Sequence, residues 1–164
     1  DKPLRFARFW LLQAITVAVV MLPVSYLLGS GDPPGLGPWM IAGAALWLIG
    51  LVIEAVSDAQ KSAFKAKRAE GERFITSGLW KYSRHPNYFG EILVWWGLFA
   101  YTVPALQGAA FLVVIGPVFI TLLLLFVSGI PLLEQSADAK FGDDPAYQEY
   151  KRRTSILLPL PPRG

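Results

Sequence analysis

Residues 109 to 129, AAFLVVIGPVFITLLLLFVSG, contain no charged side chain. A helix of this length measures about 31 Å, enough to cross a hydrocarbon layer of about 30 Å. Inside that layer every backbone N–H and C=O must be satisfied by the protein itself, which leaves helices and closed barrels as the only spanning forms. A run of equal length, FWLLQAITVAVVMLPVSYLLG, extends from Phe9 to Gly29, with Pro23 expected to kink it. A third, WMIAGAALWLIGLVIEAV, covers Trp39 to Val56, and a fourth, from about Tyr88 to Val103, is short for a crossing unless tilted. These runs predict an all-α, polytopic integral membrane protein with four transmembrane helices at about 9–29, 39–56, 88–103 and 109–129.

Charge placement adds a topology. All 15 Lys and Arg residues fall before residue 9, between 61 and 84, or after 139. Four crossings put those stretches on one side, which the positive-inside rule makes cytoplasmic. With 54% hydrophobic residues, 16% charged residues and a mean hydropathy of +0.43, the chain is too apolar for an ordinary soluble domain. Its basic residues form no solvated stripe interleaved with aromatics, so nucleic acid is not an expected partner; membrane lipids are. The absence of cysteine excludes thiol chemistry and disulfides, and a single histidine speaks against a metal site. The whole reads as one membrane domain, 1–164, and as the C-terminal part of a longer protein.

Between the apolar runs, residues 1–8 read as a basic lead-in on the membrane surface. GSGDPPGLGP, residues 29–38, is a loop, and the second span is expected to continue as a polar helix to Gly71. Residues 70–83 read as a loop. A cytoplasmic C-terminal segment, 130–164, follows the last span, with helices expected at about 131–141 and 146–152. Asp144 caps the second of these ahead of Pro145, and the tail ILLPLPPRG lies extended against the membrane surface.

Chemistry concentrates at residues 84–91, RHPNYFGE. Pro86 fits the first turn of a helix whose amino end, beside Arg84 and His85, attracts anions. Asn87 and Glu91 are four apart and share a helical face, and Gly90 between them admits a close neighbour. Earlier in the chain Glu54, Asp58, Lys61 and Lys65 lie near one stripe, Lys61 being read as an ordinary solvated charge. With Glu134, these ionisable ends could converge on one pocket.

SGLWKYSRHPNYFGEILVWWG, together with EAVSDAQKSAFK, SGIPLLEQ and YQEYKRRTS, resembles the C-terminal domain of the steroid 5-alpha-reductase family and its bacterial DUF1295-type relatives. The RHPxYxG core is shared more distantly with sterol reductases and isoprenylcysteine carboxyl methyltransferases. The resemblance implies a bacterial inner-membrane enzyme that uses NADPH to reduce a carbon–carbon double bond in a lipid-like, enone-type substrate. It implies a cofactor site made from Ser57, Asp58, Lys65, Tyr82, Arg84, His85, Asn87, Tyr88, Glu91 and Glu134, with Asn87 and Glu91 at the nicotinamide amide and Ser57 and Asp58 near the adenosine or ribose. Animal members have Asn at Glu54, Arg at Lys65 and a His near Glu134. Their substrate-facing Tyr and Glu come from preceding helices, so no catalytic residue is assigned here. An S-adenosylmethionine-dependent methyltransferase and a non-catalytic lipid-binding module are the alternatives.

Overall fold

The computed structural model describes residues 2–31, 35–67 and 73–164. Seven α-helices hold them: α1 (Lys2–Val20), α2 (Leu22–Gly29), α3 (Pro38–Lys67), α4 (Pro86–Thr102), α5 (Ile115–Leu122), α6 (Ile130–Phe141) and α7 (Pro145–Arg153). The fold is all-α, and the one strand-like feature among the described residues is an isolated bridge between Ser83 and Ser155. Three continuous helical stretches, Pro3–Val20, Pro38–Lys67 and Gly108–Phe141, are long and apolar enough to cross a membrane. The 17 residues of α4 reach about 26 Å, short of a full hydrocarbon layer.

The first run differs from its expected bounds at both ends of α1. Nothing between Pro3 and Phe9 breaks a helix, so the expected surface lead-in is already helical from Lys2. The kink falls at Met21, two residues before the proline. Pro23 has no N–H to give the carbonyl of Val19, and its ring crowds the preceding turn.

The run at 109–129 differs more. It starts as a 3-10 helix at Gly108–Val114, becomes α5, and then widens to a π turn at Leu123–Val127, where Ser128 N donates to Leu123 O over 2.9 Å. Pro117 supplies no N–H to the carbonyl of Val113, and the backbone upstream tightens instead. Residues 68–71, expected to prolong the second span, lie outside the described residues. Within the expected loop 70–83, a 3-10 turn forms at Gly78–Lys81.

The chain divides into two compact units, Asp1–Trp47 with Trp95–Leu122, and Leu48–Val94 with Leu123–Gly164. In the first, α1 packs on α5. A Cβ on Gly116 would stand 2.9 Å from Val19 O and 3.0 Å from Val20 O, so α5 sits directly against the carbonyls at the kink. Trp96 Nε1 donates to Thr121 Oγ1 over 3.1 Å. Most of α1, including Phe6, Phe9, Leu11 and Leu12, is exposed, as a lipid-facing helix would be.

In the second unit α3 and α4 touch backbone to backbone. A Cβ on Gly90 would lie 2.6 Å from Glu54 N and 2.7 Å from Gly50 O. Beyond the membrane-length segments, Asp144 caps α7 as expected, accepting from Ala146 N over 3.0 Å. The tail, expected to lie extended, bends at residues 156–158 and pairs with the segment leading into α4. Arg84 N donates to Ser155 O (2.8 Å), Ser83 Oγ to Leu157 O (2.7 Å) and Leu160 N to Tyr82 O (3.1 Å).

Candidate functional site

The site lies in the second unit, where the lead-in to α4 meets α6 and α7. Gly78, at φ +61°, turns the chain beneath the side chain of Gln60, whose Oε1 accepts from Leu79 N over 2.9 Å. Trp80 is then buried, giving its Nε1–H to Ser57 O (3.0 Å) and receiving at its own carbonyl the Tyr150 hydroxyl (2.7 Å). Ser83 Oγ accepts from His85 N over 3.1 Å, which fixes the turn that presents Arg84 and His85.

Glu134, on α6, is the hub. Its Oε1 accepts from His85 Nε2 at 2.8 Å, and its Oε2 lies 3.2 Å from the Arg84 guanidinium and 3.6 Å from Lys151 Nζ. Arg84 also donates to Lys151 O over 3.2 Å, while Lys151 Nζ pairs with Asp138 at 2.6 Å. The His85 ring stacks on Tyr88, centroids 5.8 Å apart and planes 10° from parallel. Tyr147 donates its hydroxyl to Asp138 Oδ1 over 3.1 Å. Burial, helped by the bond to Asp138 and the Asp138 charge, pushes that phenol up to about 12, and burial raises Tyr150 as well. Both are proton donors throughout the physiological range.

Above this network lies a cavity of about 370 Å³, within the size range of small-molecule sites. Among the described residues its wall carries five cations, Lys61, Lys65, Arg73, Arg84 and Lys140, against one carboxylate, Glu134. Phe64, Phe74, Phe141 and Tyr150 supply flat apolar surface.

Of the residues singled out in the sequence, Lys65, Arg84, His85 and Glu134 line this cavity; Ser57, Asp58, Tyr82, Asn87, Tyr88 and Glu91 do not. Ser57 is fully buried, its hydroxyl returned to Ile53 O over 2.6 Å. Asp58 and Tyr82 are exposed. Asn87, Tyr88 and Glu91 are half-buried, and the carboxylates of Glu91 and Asp58 both act on the Tyr88 phenol. Asn87 Oδ1 is a buried acceptor without a hydrogen-bond partner among the described residues. Sequence reasoning missed Arg73, Lys140, Tyr147 and Tyr150, and took Lys61 for a solvated charge although its ammonium sits 4.8 Å above the Trp80 ring. The signal for the tyrosines is their spacing: three apart on α7, they share a face.

A family model described as a protein of unknown function, DUF1295, matches residues 1–154. The chain belongs to the DUF1295 family. Its curated relatives in two enzyme classes carry the steroid 5-alpha-reductase likeness and the methyltransferase likeness side by side. Methanethiol S-methyltransferase 1 of Bradyrhizobium diazoefficiens is 38% identical over 93 residues, 57% of this chain and 28% of that protein. The 3-oxo-5-alpha-steroid 4-dehydrogenase 1 of Mus musculus is 38% identical over 74 residues, 45% of this chain and 29% of its own length. Its counterpart in Homo sapiens is 36% identical over 74 residues, 45% and 28% respectively. The chain thus spans under a third of the length of each. No solved structure matches.

Proposed function

We propose that this chain forms the cofactor-holding part of a membrane-embedded NAD(P)H-dependent reductase acting on a carbon–carbon double bond of a lipid-like, enone-type molecule. The observation that carries this reading is the charge of the cavity wall, five cations to one carboxylate. A wall of that sign stabilises phosphates and repels a sulfonium centre. The donor set fits a reduced nicotinamide dinucleotide. Lys61, Lys65, Arg73 and Lys140 would hold phosphates, and the Phe64 and Phe74 rings would bear a flat base. Asn87 Oδ1, with Glu91 one turn on, would accept from a carboxamide.

The bound cofactor supplies the hydride; the protein's residues position it and keep water away. Arg84 and His85 are held by Glu134, so their part is to fix the floor while the four outer cations carry the anion. Lys65 is a point charge where an arginine would offer a bidentate fork, which weakens discrimination of NADPH from NADH. Four crossings in a bacterial inner membrane, α4 being the fourth, would turn all three basic stretches and the cavity mouth toward the cytosol.

The second reading, an S-adenosylmethionine-dependent methyltransferase, is favoured by one observation: the methyltransferase match covers 57% of this chain against 45% for the steroid dehydrogenases. Titration of the purified protein in detergent with NADPH, NADH and S-adenosylmethionine separates the two. Saturable binding of the sulfonium compound alone overturns the reductase. Binding of none overturns both enzymes and leaves a non-catalytic lipid-binding module. In the reductase, Glu91→Gln weakens dinucleotide binding by roughly tenfold with the fold retained.

A further inference from the structure

A second cavity, of about 620 Å³, opens in the same unit on the other side of the aromatic wall, with Phe64, Phe74 and Tyr150 lining both. What it adds is a polar rim of Lys81, Arg153 and the hydroxyls of Thr76 and Ser77. Two carboxylates also line it: Asp144 faces Arg73 at 3.4 Å, and Glu149 faces Arg152 at 2.7 Å and Arg153 at 3.7 Å. Three lining cations, Arg73, Lys81 and Arg153, against these two carboxylates leave the recess one positive charge in excess, and Lys81 is the one that makes no ion pair among the described residues.

Thr154 and Pro162 line this cavity too, and the tail runs between them. In that stretch Ile156, Leu158 and Leu160 are 44%, 53% and 48% exposed. Leu157 and Pro159 between them are half-buried, so the three exposed side chains make an apolar strip beside the cationic recess. The depth of the strip is fixed by the three bonds that tie the tail to residues 82–84, immediately before α4. From Ile92 onward α4 carries no charged side chain, and the exposed Tyr82 and Lys81 precede it. Aromatic and basic side chains at that level mark the headgroup layer. A soluble anion has no use for the apolar strip, and a hydrocarbon chain alone has none for the cations.

We propose that this cavity binds the phosphodiester headgroup of an anionic glycerophospholipid, whose acyl chains lie along Ile156, Leu158 and Leu160. The site is separate from the reading given for the first cavity and stands or falls without it. The phosphodiester sits between Lys81 and Arg153, with the hydroxyls of Thr76 and Ser77 as donors.

Native mass spectrometry of the delipidated protein tests this, with phosphatidylglycerol, phosphatidylcholine and inorganic phosphate as probes. The expected result is retention of phosphatidylglycerol over phosphatidylcholine by roughly tenfold or more, undisturbed by millimolar phosphate. Lys81→Gln lowers that preference by roughly fivefold, and the paired change Leu158→Ser and Leu160→Ser weakens retention of both lipids. Equal retention of the two lipids by the wild type, or an unchanged preference in Lys81→Gln, overturns the proposal. Displacement by inorganic phosphate also overturns it, by showing a site for soluble anions. Lys81 is exposed, its ammonium 5.9 Å from the Tyr82 ring and in no ion pair among the described residues, so its variant folds and decides the matter even where the double leucine variant does not.

Discussion

Gly90→Ala tests the backbone contact between α3 and α4 on which the motif helix depends. The added methyl would lie 2.6 Å from Glu54 N and 2.7 Å from Gly50 O, where ordinary contact begins at 3.4 Å. The helices would have to part by about 0.8 Å, the difference between 3.4 and 2.6 Å, and both opposing atoms are main chain in a 30-residue helix that moves only as a body. Overpacking of this kind costs about 1–3 kcal/mol. Alanine returns about 1 kcal/mol of helix propensity. Because neither clashing atom can rotate away, the steric cost lies toward its upper end and the net loss is about 1–2 kcal/mol. Thermal unfolding in one detergent reads this as a fall of about 2–4 °C per kcal/mol. Gly29→Ala, at the end of α2 with nothing within 4 Å of the new methyl, is the control and should be neutral or stabilising. If Gly90→Ala unfolds at or above the wild-type temperature, the two backbones are not in contact and the account of Gly90 fails.

Glu134→Ala should destabilise by about 3 kcal/mol, because it leaves the Arg84 and His85 side chains, 11% and 6% exposed, without their carboxylate; an unchanged melting temperature would show that neither depends on it. Asp144→Ala should cost about 1 kcal/mol through loss of the α7 cap, while Asp144→Asn, which keeps the acceptor, should cost much less; equal losses would assign the effect to the exposed Arg73 pair instead. The phenols of Tyr147 and Tyr150 are raised in the folded protein above an ordinary value of about 10. Their contribution is therefore fully present below about pH 10 and is lost as pH climbs toward the folded value, about 12 for Tyr147. Melting temperatures between pH 9 and 11.5 should fall more steeply for the wild type than for Tyr147→Phe, and parallel curves would contradict the linkage.

The spans were legible because uncharged runs of membrane length have few alternatives, and the proline positions marked where backbone bonding would be interrupted. The form of the interruption was not legible. Whether Pro117 yields a bend, a 3-10 segment or a π turn depends on what packs against it, and periodicity in the sequence carries no such information. At the site, RHPNYFGE gave Arg84 and His85 their place, but the pairing with Glu134 relies on contacts 49 residues apart. Ser57 shows what a resemblance does not carry: it was assigned by likeness to the family, whereas its hydroxyl here bonds its own preceding turn, as a helical serine readily does. Arg73 and Lys140 were passed over because they stand 67 positions apart and nothing local links them; an Arg73-to-Lys140 carbonyl bond of 3.0 Å brings them together.

Ser83, Arg84 and Tyr82 receive their backbone partners from residues some seventy positions later, across two apolar runs and the charged helices α6 and α7. During synthesis, then, the arginine and histidine of the motif leave the ribosome long before anything exists to hold their turn in shape. Membrane insertion of the last long helix precedes the clasp, and maturation of the cavity floor is deferred to a late docking event outside the lipid. Closing so long a loop is entropically slow, so a protease challenge during refolding should find this turn cleavable after the spans are already protected.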